Sequence, residues 1–490
     1  MATSLRDPST LFFQSEAIRR LIISSYWVVL IAALPLWWHT TSIERLSLPT
    51  SRVNAQADRQ LRLPISIGLE DASLVGPLQR ELDSRGQRWK GLDVTVAGAA
   101  ANASYIVVNA DNAALLGERR LQFPLRRATI PLLADALSDL LVPRLNSHRI
   151  AHYAPRYRLA FTLLNEDAVE GDAISSWDIS TAITHQLSPL LDALSVLHNF
   201  TIESQVQFHA PLAFSPQPMS DGSVGLTPED LTVFVNSAEW TLSSSVSNDP
   251  VLHFLVFVPS SSHRPMHILD AHGVPTTAES FLLPQWGGIV IYNPPNTERG
   301  VRPLSHDALS SILPQFSNQL LSLLGVAKLP PGIPSTSPLT EWQLDALLRR
   351  RAFENTLEAT ETLQSIVRLV DQIDNMPVGQ DVRGDVLSAL SSLDHIHIHS
   401  KTASALPLPL SLSLNTTLHH SATALTLASR AFFNPGMLAL LYFPTEHKFA
   451  VYMPLFASAV IPLLATVIRE VAAWRKQRRE AAVAVAAAAQ

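Results

Sequence analysis

Residues 21–38 read LIISSYWVVLIAALPLWW, a run without a charged side chain, entered through Arg19-Arg20. A helix of this length extends about 27 Å at 1.5 Å per residue, close to the hydrocarbon thickness of a bilayer. A counterpart lies near the other end, residues 449–468, followed by Arg469, Arg475, Lys476, Arg478 and Arg479. If both cross a membrane, residues 40–448 lie together on one side of it.

Three other readings of apolar runs compete here. A cleaved signal peptide has a shorter apolar region, about 7–15 residues, and ends at small residues. The first run instead leaves through Trp37-Trp38-His39-Thr40, a poor cleavage site and a good aromatic interface anchor. A C-terminal attachment signal normally finishes the chain, whereas a basic cluster and an alanine-rich end follow residue 468. A buried core helix is the third reading, and the failure to return to amphipathic periodicity argues against it. Residues 21–39 and 449–469 are therefore expected to be permanent membrane helices. Under the positive-inside tendency the basic flanks put residues 1–20 and the basic tail 470–490 in the cytosol, and residues 40–448 in the lumen.

Composition narrows what the enclosed region can do. Only 16% of the 490 residues are charged, against about 25% in typical chains. The net charge of −6 gives no electrostatic reason to expect nucleic acid. Cysteine is absent, so this chain supplies no disulfide, thiolate metal site or cysteine nucleophile. In an oxidising compartment it must be held by packing alone.

After a tether over 41–60, the patterns alternate. Strands are expected at 63–69, 92–96, 105–109 and 121–125, with amphipathic helices at 72–85 and 130–145. A second block opens with a strand at 157–164 and continues with a long helix over 178–197. Further strands are expected at 206–208, 231–235, 252–258 and 288–292, then a helix at 309–324. Strand–helix alternation argues for α/β layers, divided as subdomains 40–150 and 151–328. The Pro-rich break at 329–338 opens a helix-rich region to 448, with Pro338 suited to a first helical turn and helices over 338–373, 380–394 and 415–431. The fold class is thus α/β: a large lumenal mixed α/β domain with a helix-rich C-terminal part, flanked by two transmembrane helices.

Candidate chemistry is sparse. Asn102-Ala103-Ser104, Asn199-Phe200-Thr201 and Asn415-Thr416-Thr417 are glycosylation sequons, meaningful if the region is lumenal. Asn199 is the best placed, in a loop-like position between helix and strand. Asp394-His395-Ile396-His397-Ile398-His399 would put three imidazoles on one face if it were a strand. With no visible supporting partners, solvated histidines at a strand or helix end explain it better, and no metal ligand and no cofactor are assigned. The phosphate-loop, dinucleotide, zinc-protease and nucleophile-elbow motifs are missing. Gly222-Ser223-Val224-Gly225 lacks the strand-turn-helix context of such motifs. Ser260–Ser262 before His263 reads as a surface loop rather than a nucleophile cluster. Trp286-Gly287-Gly288 permits a close backbone approach or a contact surface.

The residues carry a resemblance to the PIG-S family, whose members are subunits of the GPI transamidase complex of the endoplasmic reticulum. The matching pieces are Trp27-Val28-Val29 with Pro35-Leu36-Trp37-Trp38 and Thr40-Thr41; Phe161-Thr162-Leu163-Leu164-Asn165 with Trp177-Asp178-Ile179; and Asn199-Phe200-Thr201. They continue through Pro284-Gln285-Trp286-Gly287-Gly288-Ile289, Tyr292-Asn293, Asn434-Pro435, Tyr442-Phe443-Pro444 and Lys448-Phe449-Ala450-Val451-Tyr452 with Pro454. The resemblance implies a scaffold subunit of an enzyme that joins precursor proteins to a GPI lipid, a hetero-oligomer whose cysteine nucleophile resides in the PIG-K subunit. No catalytic residue carries over to this chain. Contact with the GPI lipid or the precursor stays open, as do two rival readings: a lumenal hydrolase or transferase with its own, metal-assisted site, and a lumenal cargo receptor.

Overall fold

In the computed structural model the described residues are 15–41, 44–89, 91–98, 103–110, 114–143, 150–170, 172–242, 248–295, 300–335, 337–373, 376–405, 410–438 and 445–488. The chain divides into two compact units. One comprises Met1–Asp58, Glu358–Ser391 and Ala424–Gln490; the other comprises Arg59–Leu357 and Ser392–Thr423.

The first apolar run lies in helix α1 (Glu16–Thr41), and α2 (Thr50–Ala57) follows. The stretch between them, expected to be a bare tether, is docked within its own unit. Leu46 donates to the Val378 carbonyl, Val378 N–H donates to Glu44, and Arg45 reaches the Val370 carbonyl at 2.8 Å. Backbone groups there find partners in a neighbouring segment rather than in water.

The first sheet of the larger unit is built from β1 (Leu63–Leu69), α3 (Val75–Ser84), β2 (Leu92–Gly98), β3 (Tyr105–Asn109), β4 (Leu115–Leu116), β5 (Arg120–Phe123) and α4 (Ile130–Leu141). The strand order is β2-β1-β3-β5-β4, parallel except for β4 against β5. Ile65, Ile67 and Leu69 of β1 are buried with Leu78 and Leu82 of α3 and Leu133 and Leu137 of α4. The i, i+4 spacing of each helical pair supplies the apolar stripe that covers the sheet.

The chain then runs through β6 (Arg156–Asn165), β7 (Ile174–Ser176), α5 (Ile179–Ala182) and α6 (Ser188–Leu194), the two helices joined by a π-helical turn over Ile183–Leu187. The single helix expected over 178–197 is thus interrupted, the turn easing the chain past Pro189. Next come β8 (Asn199–Gln207), β9 (Gln217–Pro218), β10 (Val224–Leu226), α7 (Pro228–Thr232), β11 (Val251–Val258), β12 (Met266–Ile268), β13 (Ser280–Leu283), β14 (Gly287–Ile291), β15 (Arg302–Pro303) and α8 (His306–Leu324). The second sheet has the order β13-β14-β11-β6-β8 and is parallel apart from β13, while β12-β10-β9 and β15-β7 form separate small sheets. β6 and β11 are buried almost throughout, as their unbroken apolar runs require when both faces are covered. On one face Phe316 of α8 meets Phe161 and Phe254. On the other, Phe234 and Trp240 pack on Phe257.

Two strand expectations here are corrected. Residues 231–235 form no strand, because Thr227 and Asp230 cap each other reciprocally and start α7. β8 begins at Asn199, seven residues before the expected 206, since its polar residues lie on a partly exposed edge and hide the strand pattern.

The remaining helices are α9 (Glu341–Gln372), α10 (Gln380–Ala405), α11 (Leu410–Phe432), α12 (Pro435–Leu438) and α13 (Thr445–Ala488). Pro338 precedes α9 instead of occupying its first turn. Thr340 and Gln343 form the cap, through Thr340 N–H to Gln343 Oε1 at 3.1 Å and the return bond at 3.3 Å. α10 extends beyond 394 to Ala405, and α13 continues well past 468 through the basic cluster.

Candidate functional site

In a parallel α/β sheet, ligands favour the carboxyl ends of the strands where the strand order reverses. β6 is such a point: β8 lies on one side of it and β11 on the other. Glu166, directly after β6, is buried. Its Oε2 accepts from Ser260 N–H at 2.8 Å, and its Oε1 lies 2.6 Å from His263 Nδ1. Ser260, expected on a surface loop, is buried, with its hydroxyl 2.9 Å from that of Ser262. Asn165 bonds the Ile174 backbone in both directions, and Asn293 does the same with Met266. Arg264 donates to the Pro259 carbonyl. These groups spend their polarity on clamping loops, as buried polar atoms must.

The amino end of this sheet explains the Trp286-Gly287-Gly288 element. A side chain on Gly287 would overlap the His253 carbonyl, and one on Gly288 would overlap Gln319. Trp286 stacks on His253 with ring centroids 4.6 Å apart. Burial, aided by the neighbouring Arg158 charge, lowers the His253 pKa to about 4. His198, with Nδ1 2.6 Å from the Ala154 carbonyl, is likewise pushed down to about 4 by burial.

The histidine run lies on α10 and not on a strand, so alternate residues diverge by about 200°. His395 stacks on His420 of α11, ring centroids 5.3 Å apart, and His419 adjoins His420 at 5.7 Å. His397 lies among Arg59, Asp394 and Lys401 instead. Among the described residues no three His, Cys, Asp or Glu side chains are arranged to hold a metal. Of the sequons, Asn199 is exposed as the first residue of edge strand β8, rather than in a loop, and Asn415 is exposed on α11. Asn102 lies outside the described residues.

A second polar cluster has no signature in sequence. Asp345 of α9 is 1% exposed and accepts from Arg119 at 2.8 and 2.9 Å and from the Tyr105 hydroxyl at 3.0 Å. Arg349 donates to the same hydroxyl at 2.6 Å, and Trp342 stacks on the Tyr105 ring. Burial raises the Tyr105 pKa, so the phenol stays protonated and relays the bond to Asp345. The cluster fastens α9 to the first sheet.

The arrangement with the plainest functional meaning is the helix pair α1–α13. Both helices are long and apolar enough to cross a membrane, and neither apolar window is buried within the protein, so neither is a core helix. They run antiparallel. Arg19 and Arg20 of α1 pair with Glu470 of α13, the latter at 3.2 Å. Eighteen residues along α1 from Arg19, and fourteen to eighteen along α13 from Glu470, Trp37 meets Tyr452 and Phe456 edge-on, with centroids at 5.8 and 5.2 Å. Along α1 the two contacts stand about 27 Å apart, a separation close to the thickness of one hydrocarbon layer.

The profile of the family described as "Phosphatidylinositol-glycan biosynthesis class S protein", PIG-S, matches residues 24–91 and 113–477. The chain is 30% identical to the human "GPI-anchor transamidase component PIGS", over 92% of this chain and 95% of the human one. It is 29% identical to the Schizosaccharomyces pombe "GPI transamidase component PIG-S homolog", over 95% of this chain and 86% of that protein. Against the Mus musculus component the identity is 35% over 64% of this chain and 56% of the mouse protein.

Proposed function

Because this chain belongs to the PIG-S family, we propose that it is a noncatalytic, membrane-anchored scaffold subunit of a GPI transamidase complex in the endoplasmic reticulum. The observation that carries the reading is that the family match enters within the first apolar helix and continues to residue 477, beyond the second apolar run. The antiparallel helix pair supports a hairpin-like topology, with both basic flanks cytosolic and residues 40–448 lumenal. Within that lumenal part the proposed divisions are 40–150, 151–328 and 329–448.

The noncatalytic role rests on the chemistry of the residues themselves. These 490 residues hold no cysteine, so a thiolate nucleophile must come from a partner, which we assign to the PIG-K subunit. His263, half-buried against the buried carboxylate of Glu166, serves as a loop clamp. Asn199, Asn102 and Asn415 are the proposed glycosylation sites.

Mild-detergent purification with mass spectrometry is expected to recover the other transamidase subunits with this chain. Its removal from cells should deplete GPI-anchored proteins from the surface. Undiminished anchoring would overturn the assignment, and transfer or hydrolysis by the chain alone would overturn the noncatalytic role.

A further inference from the structure

Between its two pinned ends the helix pair does not close. A groove of about 630 Å³ separates α1 from α13, with Tyr26, Ala33 and Trp37 on one wall and Phe456, Ala459 and Pro462 on the other. Its walls are almost entirely carbon. The small side chains Ala33 and Ala459 leave room that larger residues would fill, and Pro462 removes a backbone donor from that face.

Depth selects the occupant. The groove reaches from the Trp37 end only to Tyr26, roughly 16 Å at 1.5 Å per residue, which is the half of a hydrocarbon layer remote from Arg19 and Glu470. A helix that crossed the bilayer would need a seat along the full hydrocarbon depth, about twice the length of this groove. A polymethylene chain, about 4–5 Å across at carbon–carbon contact distances, fits it. The aromatic contact of Trp37 with Tyr452 and Phe456 stands where the chain would meet its headgroup.

We propose that the α1–α13 groove holds an acyl chain of a bilayer lipid from the leaflet on the Trp37 side. This requires that both helices span a bilayer, and it is independent of the transamidase assignment. Held lipid in this cleft completes the packing of two helices whose own side chains leave a gap.

The test uses the full chain in nanodiscs containing phosphatidylcholine with a diazirine on one acyl chain. Labelling is expected to concentrate on Ala33, Ala459 and Pro462 and to exceed that of the outward-facing Val28, Ile31 and Ile461. Ala459→Trp should reduce groove labelling several-fold, while Ile461→Trp, equally bulky on the outer face, should leave it unchanged. Equal labelling of all faces would mean ordinary surrounding lipid and would overturn the proposal. So would an unlabelled groove beside labelled outer faces, the result expected if a partner's helix fills it. No labelling on any face would remove the membrane-spanning premise itself, a failure distinct from that of the transamidase reading.

Discussion

Asp345 accepts two hydrogen bonds from Arg119 across 226 positions of sequence, at 2.8 and 2.9 Å. The carboxylate is 1% exposed, and its remaining polarity is answered by Tyr105, which Arg349 holds in turn. Removing one member of such a buried set leaves the others uncompensated. Asp345→Ala is expected to cost about 3 kcal/mol, and Arg119→Ala less, because its guanidinium is partly hydrated. Denaturant midpoints of the two variants and their double mutant measure this. Additive losses would show that the pair is not coupled.

Acid should weaken the protein before its carboxylates titrate. His253 and His198 have folded-state pKa values of about 4, held down by burial, against about 6.5 in an unfolded chain. The unfolded state therefore binds the proton first as pH falls. Stability is complete above about pH 6.5 and declines towards pH 4, by up to about 3 kcal/mol for each histidine. His253→Phe keeps the stack on Trp286 and removes a buried Nδ1 that has no partner among the described residues. It should flatten part of the acid slope without loss at neutral pH. Urea midpoints between pH 7.5 and 4.5 would reveal a slope that refuses to change.

The glycine pair of β14 should respond in two ways. Gly287→Ala meets backbone, the His253 carbonyl, which cannot step aside without parting the β11–β14 ladder. Gly288→Ala meets the Gln319 side chain, which can be shortened. Each single change is expected to cost about 1–3 kcal/mol, and Gln319→Ala should recover much of the loss for Gly288→Ala and none for Gly287→Ala. Thermal unfolding of the four variants separates the cases; equal rescue of both would refute the packing account.

Asn199 and Asn415 are exposed, so glycosidase treatment should shift the electrophoretic mobility of the chain. Asn199→Gln and Asn415→Gln should each remove one step of that shift. Glycan addition occurs only on the lumenal side, so an unshifted chain in which both triplets are intact would contradict the proposed topology.

Much of the architecture was legible from pattern alone. The strands at 63–69 and 105–109 have the limits that pattern implies, because LPISIGL alternates apolar with small or polar residues and YIVVN carries an unbroken apolar run of four. β8 was mostly missed for the opposite reason: an edge strand mixes polar and apolar residues and breaks that pattern. For the histidine run the pattern leaves strand and helix end both open. Alternation over six residues suits a strand, but α10 carries it as a helix and aligns His395 with His420 of α11.

What sequence determined by itself is whatever follows from solvent preference along one dimension: two apolar runs of bilayer length with basic flanks, alternating strand and helix, and the absence of a thiol. Tertiary structure alone decided which charges are buried and which gaps remain. Arg119, Tyr105 and Asp345 look like ordinary surface residues in the chain, and they become a buried cluster only when α9 packs on the first sheet. The α1–α13 groove likewise depends on small residues from opposite ends of the chain coming face to face. Periodicity is local, whereas the pairing of polar groups and the filling of space are properties of contacts, and contacts exist only in the folded protein.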